Sequence, residues 1–367
     1  LAFIYDTGSG KSYKGEPTVN LAGSIVKNFS SWNGLTGSTE YYTTSTGGQG
    51  VKLITTASGG VQWYSFSTIY NIQASTQYTI SATVKYIGGT PHPNLLYVRQ
   101  YDANGQTSES GKFTTANERD LGGGWKRIWR TFTTDATTTH INLQGYEYTT
   151  GKTIHIQDLQ FEQKGHATQF VNGTRSTTQG LLDLTKNETI TLSNMSYDSN
   201  AQMSFDGTDD QFLISNPGVG TSFSIETVIK VDSYSNGPIF VSPNSVGIDH
   251  FFRVNSNGTI RANFVEVPDT ANDGYTSTTV INTGEYYHVV ISKTPSNGTI
   301  YVNGVAEDSH TPTLAAAAWT GAWRIGARWN NTYNLNGEIP ILKVYNKALT
   351  AAEVLQSYNA TKDRFIR

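Results

Sequence analysis

The sequence predicts an all-β protein of two antiparallel β-sandwich (jelly-roll) domains, closed by one short C-terminal helix. Three observations predict this class: many short segments alternate apolar and polar residues, glycine-rich stretches separate them, and the composition favours sheets and turns. The 367 residues include 36 Gly and 21 Tyr. Aromatic residues suit pleated strands and glycine suits the turns between them.

Alternation with a period of two predicts strands with one buried and one wet face. Asn-Gly pairs at 297–298 and 303–304 flank one such segment and predict hairpin turns. An antiparallel arrangement follows. The predicted strands are residues 78–86, 125–132, 153–161, 223–231, 286–293 and 299–303.

A single helix is predicted near the C-terminus. Thr350 and Glu353 have the spacing of a capping box, in which the hydroxyl bonds forward and the carboxylate bonds back. Val354, Leu355 and Tyr358 follow at helical spacing. We interpret this helix as a closing element that packs on a sheet.

Charge and cysteine content exclude several classes of function. Charged residues make up 15% of the chain and the net charge is −3, which argues against a nucleic-acid binder and a polybasic membrane surface. The chain has no cysteine, so disulfides, thiol catalysis and zinc–thiolate sites are excluded. No apolar run approaches the ~20 residues of a membrane span, so no membrane insertion is expected.

The C-terminal half carries an ordered series of motifs. It resembles the laminin-G-like, concanavalin A-type lectin sandwich found in bacteriophage structural proteins. The residues that carry the resemblance are 204–210, 287–290, 300–304, 324–326, 335–339 and 344–350.

The start of the chain resembles the opening strand of the same phage domains. Residues 3–8 match that strand, and its usual continuation appears only at residues 182–187. We therefore hypothesise a discontinuous sandwich of residues 1–15 plus 176–367, with residues 16–175 inserted as a second domain. The polar segment 165–180 has the composition of a linker.

The inserted part resembles the jelly-roll carbohydrate-binding modules that accompany polysaccharide hydrolases. The similarity is one of pattern. It is carried by Asn20–Leu21, residues 30–32, 78–84 and 125–127, and the final strand-like segment 154–162.

Enzymatic activity is not expected. Concanavalin A-like glucanases carry a Glu-x-Asp-x-x-Glu strand that brings two carboxylates together for glycoside hydrolysis. This sequence lacks that spacing, and Glu226 stands alone in its predicted strand. Asp206, Asp209 and Asp210 are interpreted as turn-forming residues.

Glycan binding is the positive prediction, because sugar rings stack on flat aromatic side chains while their hydroxyls bond to polar groups. Tyr97, Arg99 and Tyr101 alternate and so share one face of a strand, which suits a sugar platform or a cation–π contact with a protein. Trp329 and Tyr333 lie in a loop-like segment. The candidate residues are Trp63, Tyr64, Tyr97, Arg99, Tyr101, Tyr146, Trp329 and Tyr333.

Calcium is a candidate structural ion. The resemblance implies it, because both families often bind calcium at loop-rich edges through hard oxygen ligands. Asp158 matches the late-strand aspartate of the jelly-roll family. Among the histidines, His140 and His155 fall in neighbouring predicted strands.

The resemblance implies a bacteriophage virion protein, a head decoration, fibre or tail appendage, present in many copies or as a homo-oligomer. Its expected partners are other virion proteins and host-surface glycans, and its expected location is the extracellular virion. One alternative is an accessory region of a secreted bacterial polysaccharide enzyme or an adhesin. Another is a purely structural assembly protein that no longer binds sugar.

Overall fold

The computed structural model describes residues 1–22, 30–32, 39–45, 49–55, 62–89, 94–110, 117–147, 151–198, 201–243, 249–264, 274–311, 321–328, 330 and 332–366. The chain divides into two compact units. The larger unit comprises residues 1–15, 176–198 and 202–367, and the smaller unit comprises residues 16–175 and 199–201.

The first half of the chain is almost entirely strands and turns. The strands are β1 (Phe3–Asp6), β2 (Thr18–Val19), β3 (Ser30–Trp32), β4 (Thr39–Thr43), β5 (Gln49–Ile54), β6 (Gln62–Tyr70), β7 (Gln77–Ile87), β8 (Tyr97–Asp102), β9 (Gly105–Ser110), β10 (Glu118–Gly122), β11 (Trp125–Thr133), β12 (His140–Glu147), β13 (Thr153–Glu162) and β14 (Thr174–Arg175).

The second half continues in the same way and ends in a helix. Its elements are β15 (Ile190–Ser193), β16 (Ser196–Tyr197), β17 (Met203–Asp206), β18 (Gln211–Ile214), β19 (Phe223–Ser233), β20 (Pro238–Pro243), β21 (Asp249–Val254), β22 (Thr259–Asn263), β23 (Tyr275–Val280), β24 (Tyr286–Lys293), β25 (Gly298–Val302), β26 (Val305–His310), β27 (Trp323–Ile325), β28 (Asn336–Tyr345) and α1 (Ala351–Phe365).

The smaller unit is a sandwich of two antiparallel sheets. Within its described residues, one sheet has the order β10-β11-β7-β13-β5-β4 and the other β3-β6-β12-β8-β9. Apolar side chains from both sheets, such as Ile80, Ile156 and Leu143, form one core between them. The short strands β2 and β14, which lie near the first and last residues of this unit, pair with each other.

The larger unit is also an antiparallel sandwich. In the described part of this unit, one sheet has the order β16-β17-β28-β19-β24-β25-β26, and the other β15-β18-β27-β20-β21-β22-β23. Strand β1 pairs with β28, with Phe3 opposite Val344. A core that includes Tyr5, Phe240 and Trp323 fills the space between the sheets. The predicted all-β jelly-roll class is thus confirmed.

The central strands differ from the prediction of one wet face. Residues 78–84 of β7 and 223–229 of β19 are buried on both faces. In β7, the second face carries Ser81 and Thr83, and the Arg127 guanidinium covers it, donating to Ser81 Oγ at 2.8 Å. The alternation therefore predicted correctly which face of the strand is apolar and which is polar. It did not predict that a charged side chain would cover the polar face and exclude water from it.

Charged side chains join residues near the start and the end of the smaller unit. Arg175 Nη1 donates to the backbone oxygen of Glu16 at 2.9 Å. Lys164 bonds one oxygen of the Glu16 carboxylate, and His166 Nε2 lies 2.6 Å from the other. Burial raises the pKa of Glu16, but the hydrogen bonds from His166 and Lys164 outweigh burial and lower it.

Helix α1 begins as predicted. The Thr350 side chain accepts the Glu353 N–H, and the Glu353 carboxylate accepts the Thr350 N–H at 2.9 Å, which completes the capping box. A small apolar cluster that includes Val290, Leu349 and Val354 anchors the helix on the sheet. No helix in the described residues is long and apolar enough to cross a membrane.

Candidate glycan-binding site

The candidate site lies on the outer face of the β3-β6-β12-β8-β9 sheet of the smaller unit. In β8, Val98 points into the core, so the alternating residues Arg99 and Tyr101 lie on the opposite face. In the pairing register, Tyr101 lies opposite His140 of β12, and His140 lies opposite Tyr70 of β6. Three rings from three neighbouring strands therefore line up across the sheet.

These three rings form a continuous stack. The ring centroids of Tyr101 and His140 are 5.0 Å apart with an interplanar angle of 12°. Those of Tyr70 and His140 are 5.5 Å apart at 27°. The strand spacing of ~4.8 Å sets these distances, because directly opposed side chains stand side by side. Tyr70 is 68% exposed, so the end of the stack faces solvent.

Polar groups flank the stack on the same face. Arg99 lies opposite Asn142 in the register and forms an ion pair with Glu109, with Nε 3.1 Å from Oε1. Burial lowers the pKa of Arg99, but electrostatic interactions with Tyr97 and Glu109 raise it overall, so the guanidinium stays charged. The face thus combines flat rings with amide, guanidinium and carboxylate groups.

The Tyr97 ring is not accessible to a ligand, contrary to the prediction. Its side chain is fully buried, and its hydroxyl donates to Gln144 Oε1 at 3.0 Å. The alternation placed Tyr97 on the same face as Arg99, but alternation does not show whether that face is open at every position. The ring therefore supports Arg99, whose guanidinium carbon lies 5.8 Å from the ring centroid.

For three other predicted glycan-binding residues, the structure describes the strand position but not the side chain. Trp63 lies opposite Tyr146 in the β6–β12 register, and Tyr64 is the next residue of β6. The side chains of these three residues lie outside the described part of the structure. Their positions bring them to the sheet that carries Tyr101.

The loop predicted in the larger unit is partly described. Trp329 lies outside the described residues. Tyr333 is 37% exposed, and the Arg328 guanidinium carbon lies 5.8 Å from its ring centroid. Arg328 N–H also donates to the Tyr333 carbonyl at 3.0 Å, so these two residues are held together.

Tyr70 and His140 were missed by the sequence analysis. Each stands at the end of a strand, and the sequence gives no signal that they are neighbours because 70 residues separate them. The prediction that His140 and His155 fall in neighbouring strands was wrong, since β12 and β13 belong to different sheets. His155 instead packs edge-on against Tyr42 and Trp125.

Asp158 lies at a bulge in β13, with a positive φ of 53°. Its side chain is buried, and Thr44 Oγ1 lies 3.4 Å from Oδ1. Arg127 Nη1 donates to the Asp158 backbone oxygen at 2.7 Å. The Arg127 side chain is itself buried, and calcium binding at Asp158 stays a prediction.

A second group of carboxylates lies in the turn between β17 and β18. Asp206, Asp209 and Asp210 each offer an oxygen within 4.8 Å of the others, and this all-oxygen set could hold a metal such as calcium. The turn is also built as predicted, because Asp206 Oδ1 accepts the Thr208 N–H at 2.7 Å. Burial raises the pKa of Asp210.

Glu226 is not alone in the folded protein. Its Oε1 accepts from Lys343 Nζ and from Ser357 Oγ, both at 2.6 Å, and its Oε2 accepts from the Tyr345 hydroxyl at 2.9 Å. His288 Nε2 lies 3.2 Å from Oε1. The side chain is 1% exposed beneath α1, so the carboxylate is occupied by protein donors and closed to substrate.

A comparison with known protein families matched part of the larger unit. Residues 206–355 match the family model Laminin_G_3, described as the concanavalin A-like lectin/glucanases superfamily. This match supports the predicted laminin-G-like, concanavalin A-like domain in that part of the chain. A search of curated proteins found no significant match.

Solved structures with a similar fold were also found. A heptameric SAP-like pentraxin from Limulus polyphemus is 20% identical (TM-score 0.36), covering 42% of this chain and 80% of that one. Domain 4 of a GH43 extracellular arabinanase from Geobacillus stearothermophilus, in complex with arabinotriose, is 17% identical (TM-score 0.36), covering 49% and 92%. The botulinum neurotoxin serotype D binding domain is 13% identical (TM-score 0.38), covering 51% of this chain and 50% of its own, so the chain spans about half that structure.

Proposed function

We propose that the protein is a non-enzymatic glycan-binding protein whose sugar site is the outer face of the β3-β6-β12-β8-β9 sheet. The observation that carries the proposal is the partly exposed stack of Tyr70, His140 and Tyr101 beside Arg99. A sugar presents an apolar C–H face to such a ring and hydroxyls to the polar groups alongside it. Aromatic side chains supply this contact area at low entropic cost.

We further propose that the protein is a structural component of a bacteriophage virion, a head decoration, fibre or tail appendage that attaches to host-surface glycans. The resemblance of residues 1–15 and 176–367 to phage lectin-like domains supports this role. The chain contains no cysteine, so its stability outside cells does not depend on redox conditions. Weak individual sugar sites gain avidity when many copies act on one particle.

The test is glycan-array binding by the whole protein and three variants. Tyr101→Ala and Tyr70→Ala each remove one ring of the stack, and we expect at least about tenfold weaker binding from either change. Tyr41→Ala is the matched control, because Tyr41 is an exposed tyrosine on the other sheet of the same unit.

Two results would contradict the site. One is the absence of binding to any glycan, which is the outcome expected of a purely structural protein. The other is glycan binding that all three variants retain, which would move the sugar site elsewhere. Sequencing of neighbouring genes tests the virion role separately, since capsid or tail genes are expected beside this one.

A further inference from the structure

A cavity of about 440 Å³ lies in the larger unit where the end of α1 meets the start of β24. Its lining combines aromatic rings with one carboxylate, and no described lining residue is basic. The lining side chains are Glu285, Tyr286, Tyr287, Asn303, Phe365 and Ile366. This chemistry differs from that of the sugar-binding face in the smaller unit, and neither proposed role uses it.

The carboxylate of Glu285 is held in place by its neighbours. Asn282 Nδ2 donates to Oε2 at 3.1 Å, and the Tyr287 hydroxyl donates to the same oxygen at 3.0 Å. No described residue donates a hydrogen bond to Oε1, and the side chain is exposed. A carboxylate held at one oxygen, with no described donor to the other, therefore lines the cavity.

Two aromatic rings lie beside this carboxylate, and one of them is held by a hydrogen bond. The centroids of Tyr286 and Phe365 are 5.6 Å apart with an interplanar angle of 56°. The Tyr286 hydroxyl donates to Glu338 Oε2 at 2.5 Å, which prevents the ring from swinging away. Tyr286 and Phe365 thus line the cavity with two inclined rings.

Both rings already attract cations of the chain itself. Lys230 Nζ lies 5.6 Å from the Tyr286 centroid, and the Arg364 guanidinium carbon lies 4.8 Å from the Phe365 centroid. Each cation is tethered by a carboxylate, Lys230 by Glu338 and Arg364 by Asp6, and neither lines the cavity. Among the described residues that line the cavity, Glu285 is the charged one.

We propose that this cavity binds an organic ammonium group, such as the protonated amine of an amino sugar. The rings would contact the cation through their negative faces, and Glu285 would neutralise it, as in other aromatic sites for ammonium ligands. A neutral ligand of the same shape would gain neither.

The experiment measures binding of tetramethylammonium to the full chain by titration calorimetry, with tert-butanol as a neutral probe of similar size. We expect saturable binding of the cation alone. Glu285→Gln removes the charge and is expected to weaken binding at least about fivefold. Phe365→Leu removes one ring and is expected to weaken it about two- to fivefold.

Glu188→Gln is the matched control, since Glu188 is a half-buried carboxylate of the same unit outside the cavity. Circular dichroism verifies that every variant is folded. The proposal is overturned by an absence of saturable tetramethylammonium binding, by equal binding of tert-butanol, or by equal affinity in the Glu285 and control variants. Because the cavity and the sugar-binding face belong to different units, loss of one activity leaves the other measurable.

Discussion

The buried carboxylate of Glu226 provides the sharpest test of how the larger unit is held together. Glu226→Gln keeps the size of the side chain but removes the charge that Lys343 and His288 face. Both partners are largely buried, and Lys343 would then lie beside α1 without a counterion. Loss of one member of a buried ion pair is strongly destabilising because the other charge remains desolvated.

The magnitude follows from the pKa of the carboxyl. Burial raises the pKa of Glu226, but the hydrogen bonds and charges of His288 and Lys343 prevail and lower it from 4.5 to about 2. At 1.36 kcal/mol per pKa unit, this difference corresponds to about 3 kcal/mol of stability at neutral pH. Because the folded pKa is the lower one, this contribution is present above pH 4.5 and disappears as the pH falls towards 2.

The assay is urea denaturation followed by hydrogen-exchange mass spectrometry, in which peptides from β19 and β28 report the larger unit. We expect the variant to be about 3 kcal/mol less stable at neutral pH and the difference to shrink below pH about 4.5. Asp232→Asn is the control, since this exposed carboxylate lies 3.8 Å from Lys230 and is expected to change stability by less than about 1 kcal/mol. A loss no larger than that of the control would refute the account, and so would a loss that stays constant with pH.

Two further predictions concern pH and backbone geometry. The hydrogen bond to Glu16 raises the pKa of His166 above 6.5, although burial opposes it. This pair therefore stabilises the smaller unit below pH 6.5 and ceases to do so as the pH rises through the raised pKa, so the melting temperature of the native chain should fall over that interval. A His166→Gln variant that shows the same fall would exclude the pair as its cause. Gly337 has a φ of 149°, and a Cβ there would lie 2.1 Å from the Lys230 backbone oxygen. Gly337→Ala should therefore destabilise the larger unit by more than about 2 kcal/mol in chemical denaturation, and a change below about 0.5 kcal/mol would show that the β19–β28 pairing adjusts freely.

Local patterns predicted the elements well because their causes lie within a few residues. The alternation at 78–86 corresponds to β7 and that at 223–231 to β19, with ends that differ by one or two residues. The capping box at Thr350 depends only on residues within one helical turn, so its prediction carried directly into the structure. Such features need no knowledge of which strands become neighbours.

The site was only partly predictable. Arg99 and Tyr101 share a face, as the period of a strand requires, but the exposure of Tyr97 depended on what covers that face. Tyr70 and His140 joined the site through the β6–β12 and β12–β8 registers. Strand order and register depend on packing of the whole sheet, and no local pattern contains them.

Sequence alone determined that this chain forms sheets rather than helices, where its turns and its one described helix lie, and which chemistries its composition excludes. Tertiary structure alone decided which rings stack, which are buried, and how Glu226 found its partners more than 60 residues away in β24 and about 120 residues away in β28. The reason is physical: side-chain periodicity, turn chemistry and helix capping act between near neighbours in the chain, whereas strand pairing, burial and charge pairing act between neighbours in space, which the fold must first create.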